Sequence, residues 1–317
     1  MEPYILAILI ITIIALIVIC LCLLRCYIIR HRTCLSHADL SGKIAIVTGA
    51  NIGLGKETAL ELSLRGAKVI LACRNEIKGK ECAAEIRCQS NQEVLFYKLD
   101  LASLKSVKKF SQTIIEQEPR IDILVNNAGV FRCPYMLTED GFEMHIGVNY
   151  LGHFLLTNLL LDLLKKSSAS RIVCVGSFLY TRGTINFKDF NSERNYDRTL
   201  AYCNSKLAIS LFCRELSKHL RDTSVNVYCV NPGIVRTNLL QYSVPAFIRY
   251  LQPLFPMFLN AKEGAQSIIN CAVSEQLAEE TGLYYSGCQR KEWHDKALNE
   301  EVVKSLWEFS ERLTGLS

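Results

Sequence analysis

Lys43-Ile-Ala-Ile-Val-Thr48, Gly49-Ala-Asn-Ile-Gly53-Leu-Gly55 and the segment Lys56 to Arg65 follow one another directly, and their reading decides the fold. The first is an apolar, β-branched run that reads as a buried strand. The second is too rich in glycine to continue it and reads as a turn, and the third has helical periodicity. In a strand–turn–helix unit, glycines let the backbone turn tightly and come close to an anion. The helix N-terminus adds unpaired N–H groups and its dipole. The residues assigned to such an anion-facing turn are Gly49, Ala50, Asn51, Ile52, Gly53, Leu54 and Gly55. Their spacing, TGxxxGxG, differs from the commoner GxGxxG, so the turn carries weight through the strand before it and the helix after it.

Downstream the same alternation repeats. Strands are expected at 67–73, 94–99, 121–125, 171–175, 224–230 and 282–286, separated by helical segments at 75–89, 103–118, 142–166 and 200–220. Strands separated by helices of that length pair in parallel with right-handed crossovers, which predicts a doubly wound, seven-stranded, Rossmann-like α/β sheet. Open sheets of this kind bind ligands beyond the strand C-termini, where Gly49 to Gly55, Arg74, Asp100, Asn126, Ser177 and Pro232-Gly233 all fall. Arg74 ends the second strand, at the place where an acidic side chain would serve the ribose 2′-hydroxyl of NAD. A guanidinium suits a 2′-phosphate instead, so NADP(H) is the expected cofactor, with Lys56 a candidate second cation.

Tyr202 and Lys206 lie four apart in the segment 200–220 and share one helix face. An ammonium beside a phenol favours the phenolate, so the pair is able to pass a proton. Ser177, at a strand C-terminus, has no His/Asp arrangement to make it a nucleophile. His153 lies on an apolar helix and reads as a satisfied core residue.

The chain has 317 residues, 50% of them hydrophobic, enough for a large core. Lys and Arg number 36 against 31 Asp and Glu, a net +5, and part of the excess is Arg25, Arg30 and Arg32 beside the N-terminus. That is no nucleic-acid footprint. The 14 cysteines are scattered, without CxxC pairs or zinc-like His spacing, and read as reduced thiols in a cytosol-facing domain with no metal site. Tyr4 to Leu24 is 21 residues without a charge, enough to cross a bilayer core of ~30 Å. The arginines that follow place the C-terminal side in the cytosol. Residues 1–33 are therefore expected to be a membrane anchor with its basic flank, and 34–317 a single catalytic domain. Cys26 and Cys34 next to the membrane read as free thiols. From Leu239 to Leu259 the chain is apolar and aromatic and broken by Pro245, Pro253 and Pro256, which suggests a lid near 238–260 over a hydrophobic small-molecule substrate, able to touch the bilayer.

From Gly42 to about Cys288 the sequence resembles the short-chain dehydrogenase/reductase family. The resemblance rests on TGANIGLG, NNAG at Asn126 to Gly129, Ser177, YCNSK at Tyr202 to Lys206 and NPG at Asn231 to Gly233, all in family order. Ala72-Cys73-Arg74, Leu99 to Ser103, Gly147 to Phe154, AYCNSKLA and the apolar N-terminus are similar to its membrane-anchored retinol dehydrogenase branch. The resemblance implies a tetrad. Tyr202 would give or take the proton, Lys206 would hold the nicotinamide ribose and depress the tyrosine pKa, Ser177 would orient the substrate oxygen, and Asn149 would keep a water in a proton relay. It also implies cofactor contacts from Asp100 and Leu101 at the adenine, from Asn126, Ala128 and Gly129 nearer the ribose, and from Pro232, Gly233 and Thr237 at the nicotinamide or a phosphate.

The implied activity is NADP(H)-dependent interconversion of a hydrophobic alcohol and its aldehyde or ketone, retinol and retinal first. A steroid, a fatty aldehyde, or an idle NADP-binding adaptor at a membrane or lipid droplet are the alternatives. The endoplasmic reticulum is the first location, with lipid droplet or mitochondrial outer membrane also compatible, and a homodimer remains open. Two departures stand out: Gly176 where the branch usually has a second serine, and Tyr150 where it commonly has histidine after the helix asparagine. The second bears on substrate choice rather than catalysis.

Overall fold

In a computed structural model of the chain, residues 3–30, 32–236 and 258–316 are described. Strand β1 (Ile44–Thr48) runs through its centre, paired in parallel with β2 (Lys68–Cys73) on one side and β4 (Ile123–Asn126) on the other. Side chains alternate across it: Ile44 and Ile46 join one hydrophobic layer, Ala45 and Val47 the other. Burial on both faces is what a parallel strand demands, and it explains why the run reads as continuously apolar. The sheet order is β3 (Val94–Lys98), β2, β1, β4, β5 (Ser170–Val175), β6 (Val225–Asn231), β7 (Leu283–Ser286) and β8 (Gln289–Lys291). Seven strands are parallel as expected. The eighth is an antiparallel edge that the sequence did not announce, three exposed polar residues hairpinned onto β7.

Helices α2 (Gly53–Leu64) and α3 (Glu76–Ser90) contribute Ala59, Leu62 and Ile86 to the layer of Ala45 and Val47. Helices α4 (Leu104–Gln117), α5 (Gly152–Lys165) and α6 (Arg198–His219) cover the opposite face, where Phe154, Phe212 and Trp307 make an aromatic centre. The polar residues before several helices act as caps. Asn75 accepts from Lys78 N, Ser103 from Ser106 N, and Asp197 from Thr199 N and Leu200 N, each satisfying first-turn donors. Helix α7 (Ala261–Val273) starts with a full capping box between Asn260 and Glu263.

The expected helix from 142 to 166 is not uniform. Ile146–Leu151 winds as a π-helix before α5 begins, so Asn149 sits in a widened turn, a feature common at functional sites. The stretch Ile146–Lys165 is apolar and long enough to cross a membrane, but 78% of its apolar window is buried, which makes it a core helix. Helix α1 (Pro3–Arg30) differs: over Leu9–Tyr27 its described apolar side chains are exposed, the pattern of a candidate span. Most of the expected lid near 238–260, and Thr237, lie outside the described residues.

Candidate active site

One cleft of about 930 Å³ runs along the C-terminal ends of the parallel strands, from Arg74 and Lys78 at one end to Ser177 and Tyr202 at the other. Its floor is the glycine turn. Gly49 and Gly53 have φ of +64° and +58°, the left-handed region that favours glycine. A Cβ on Gly55 would sit 2.5 Å from the Gly49 carbonyl oxygen and from Asn127 Nδ2, so the turn is packed against the helix that follows it. The residue preceding α2 is Ile52, which offers no side-chain cap, in contrast to α3, α4, α6 and α7. The first N–H groups of α2 therefore face the cleft without an intramolecular side-chain partner, a suitable cradle for a diphosphate.

Of the expected cofactor contacts, Gly49, Asn51, Ile52, Gly53, Leu54, Gly55, Arg74, Asp100, Leu101, Ala128, Gly129, Pro232 and Gly233 line this cleft, together with Tyr202 and Lys206. Three expectations need correction. Ala50 is fully buried beneath the turn, where its carbonyl accepts from Cys82 Sγ. Asn126 is buried, its Nδ2 donating to Thr157 Oγ1 at 2.8 Å on the α5 side of the sheet, and the next residue, Asn127, lines the cleft instead. Lys56 does not point to the anion site, because Nζ is held 2.7 Å from both Glu85 oxygens. Lys78, in the first turn of α3, lines the cleft beside Arg74 and takes the place of the second cation. Backbone donors at the turn and two cations at the far end fit a dinucleotide that carries an additional phosphate.

At the other end, Ser177 leaves β5 and caps a short 3-10 turn, its Oγ accepting from Leu179 N. Burial pushes the Tyr202 phenol up to about 12, with the Ser177 side chain nearby opposing. Lys206 is buried one turn further along α6. Its Nζ lies 5.7 Å from the Tyr202 ring centroid and donates to the Val175 carbonyl at 2.7 Å. Burial lowers Lys206 to about 8, with the buried thiols of Cys229, Cys174 and Cys213 pulling it up. The expected depression of the tyrosine by the lysine is thus not what this geometry gives: desolvation dominates both groups, and the phenol stays protonated.

Asn149 does not line the cleft; it braces the cleft wall. Its Oδ1 accepts from Val130 N at 2.8 Å, and its Nδ2 donates to Val130 O at 3.1 Å and to Ser205 Oγ at 2.9 Å. Its backbone carbonyl accepts from His153 Nδ1 at 3.0 Å, which leaves His153 Nε2 to accept from Thr48 Oγ1. His153 is the satisfied core residue the sequence suggested, and desolvation lowers it to about 4, so it is neutral at pH 7. The sequence did not single out Phe131, Cys133, Phe178, Leu179, Ile234 and Val235, which add apolar lining to the cleft, Phe131 edge-on to Tyr202. Their pattern is that of ordinary loop residues.

The short chain dehydrogenase family model matches residues 43–246. The chain is 46% identical over 297 residues to retinol dehydrogenase 14 of Homo sapiens, covering 87% of this chain and 88% of that one. Among solved structures, an uncharacterised protein from Mycobacterium paratuberculosis superposes with a TM-score of 0.72 at 34% identity, covering 89% of this chain and 98% of that one. A short chain dehydrogenase from Shigella flexneri, complexed with NADP, superposes with a TM-score of 0.64 at 25% identity, covering 80% of this chain and 100% of that one.

Proposed function

The chain belongs to the short-chain dehydrogenase family, and we propose that it is a membrane-anchored, NADP(H)-dependent enzyme that reduces a hydrophobic aldehyde or ketone to its alcohol, with retinal as the first substrate. The observation that carries this reading is that Ser177, Lys206 and a Tyr202 phenol that burial keeps protonated at neutral pH line one end of the cleft together. When bound, a reduced nicotinamide would supply a hydride for the carbonyl carbon. Tyr202 supplies the proton for the oxygen, and Ser177 donates to that oxygen as negative charge develops on it. Lys206, one turn away on α6, would hold the nicotinamide ribose.

The NADP preference is supported by Arg74 and Lys78 lining the same end of the cleft, with no carboxylate at the tip of β2. The apolar substrate is supported by Phe131, Phe178, Leu179 and Ile234 lining the cleft, and by the name of the human relative. Reduction is the favoured direction because NADP in the cytosol is mostly in its reduced form, and a phenol that is protonated near pH 7 would serve that direction as proton donor. Anchoring by α1, with the catalytic domain in the cytosol and the endoplasmic reticulum as first location, is supported by the exposed apolar run Leu9–Tyr27 and the arginines after it. The test is NADPH consumption by membranes carrying the full chain, with all-trans-retinal, a steroid ketone and a medium-chain aldehyde. Tight NADPH binding without turnover of any carbonyl would replace the reductase with a cofactor-binding adaptor.

A further inference from the structure

We propose that Glu143, His145 and Tyr196 form a positioning device that holds the Phe131–Cys133 segment, and through it the shape of the substrate wall beside Tyr202. The proposal rests on the carbonyl-reductase reading above. Glu143 and His145 are buried, 2% and 0% exposed. Glu143 Oε1 lies 2.6 Å from His145 Nδ1, and Oε2 accepts from His145 N at 2.9 Å and Ile146 N at 3.0 Å. Cys133 N donates to His145 Nε2 at 3.3 Å, so that nitrogen is the acceptor and the ring proton sits on Nδ1, facing the carboxylate. The Tyr196 hydroxyl lies 2.9 Å from Cys133 O and 3.2 Å from Glu143 Oε1.

Both polar groups of the Cys133 backbone are therefore met by this cluster. The Asn149 amide meets both polar groups of Val130 in the same way. Between the two clamps Arg132 has φ of +52°, a conformation disfavoured for a side chain of that size, which persists only where its surroundings hold it. The segment sets the Phe131 ring edge-on against Tyr202, centroids 4.6 Å apart, and Phe131 and Cys133 both line the cleft. Capping the π-turn needs only the Glu143 carboxylate on its two N–H groups. The histidine and tyrosine reach away from that helix to Cys133, which a cap alone does not explain.

Tyr196→Phe tests this directly, because the ring keeps its edge contact with Tyr135 while the hydroxyl is lost. In full-length protein we expect KM for all-trans-retinal to rise about five- to tenfold, the loss of one buried hydrogen bond at the wall. NADPH affinity and kcat for a short aldehyde stay within about twofold, and amide exchange across residues 130–133 accelerates. Phe131→Leu leaves the clamp intact and alters the wall, so it should change the retinal-to-short-aldehyde ratio without faster exchange at Cys133. Unchanged exchange and an unchanged KM in Tyr196→Phe, or an equal loss for both carbonyls together with NADPH affinity, overturn the positioning role. A wild type that turns over no carbonyl overturns the reductase reading instead, and is told apart by the exchange measurement, which needs no substrate.

Discussion

Lys206 Nζ donates to the carbonyl oxygen of Val175 at 2.7 Å, which ties the helix carrying Tyr202 to the end of the strand that presents Ser177. A lysine in that position is a buried cation whose nearest fixed partner is a backbone dipole. Desolvation brings it down to about 8, against the pull of the Cys229, Cys174 and Cys213 thiols. It is charged below that value and neutral above it.

Reductase kcat/KM should therefore fall as pH rises through about 8, while the phenol, up at about 12, does not titrate in that range. Lys206→Arg, with a side chain that stays charged, should be slower but lose this limb of the profile. A wild-type profile flat from neutral pH to beyond that value would remove the lysine's charge from the mechanism.

Arg74→Asp should shift preference from NADP towards NAD, because it removes the guanidinium at the tip of β2 and adds repulsion toward a phosphate. Lys78→Ala should weaken NADP binding about tenfold while leaving NAD nearly unaffected. Lys56→Met should leave the ratio alone, since Lys56 is held by Glu85. Initial rates with both cofactors check all three, and an NADP/NAD ratio unmoved by Arg74→Asp would mean that the phosphate lies elsewhere.

Gly55→Ala places a methyl 2.5 Å from the Gly49 oxygen, in the turn itself, and from Asn127 Nδ2, in the loop after β4 that packs on the turn. The turn must open to admit it, at a cost on the order of 1–3 kcal/mol. NADPH affinity should drop about five- to 150-fold, the equivalent of that cost, with the far-ultraviolet circular dichroism unchanged. Retained affinity would show that the turn is not the diphosphate cradle.

His153 links β1 to the π-turn through Thr48 Oγ1 and the Asn149 carbonyl, and burial lowers it to about 4. Its folded value lies below the unfolded one of about 6.5. The unfolded chain therefore takes up the proton first, so stability is complete above that value and is lost as pH falls towards 4. The loss amounts to about 3 kcal/mol at the acid end. His153→Gln should be less stable at neutral pH but lose part of this acid sensitivity. Chemical unfolding midpoints at pH 7 and near the folded value check it, and equal pH dependence in both proteins would contradict the assignment.

How much of this was legible in the sequence depended on whether the signal was local. The parallel strands were readable because each is an apolar run bounded by turn residues; β8 was not, since Gln289, Arg290 and Lys291 are all exposed and pair only because β7 ends beside them. Asn126 and Asn127 illustrate a parity problem. The side chain of Asn126 falls on the α5 side, with Leu124, two residues back, so the residue outside the strand is the one that reaches the cleft. Lys56 was misread because its partner, Glu85, lies on the next helix. The Val130 and Cys133 clamps depend on Asn149, His145 and Tyr196, contacts between segments that no local pattern announces. Ser177, Tyr202 and Lys206 were legible from motif and spacing, but their protonation was not, because it follows from burial.

The most direct test of the account is NADPH oxidation with all-trans-retinal by full-length wild type and Tyr202→Phe, measured alongside NADPH affinity. Removing the proton donor should lower kcat by about 10²- to 10⁴-fold and leave the dissociation constant for NADPH nearly unchanged. A Tyr202→Phe protein that reduces retinal at the wild-type rate would contradict it.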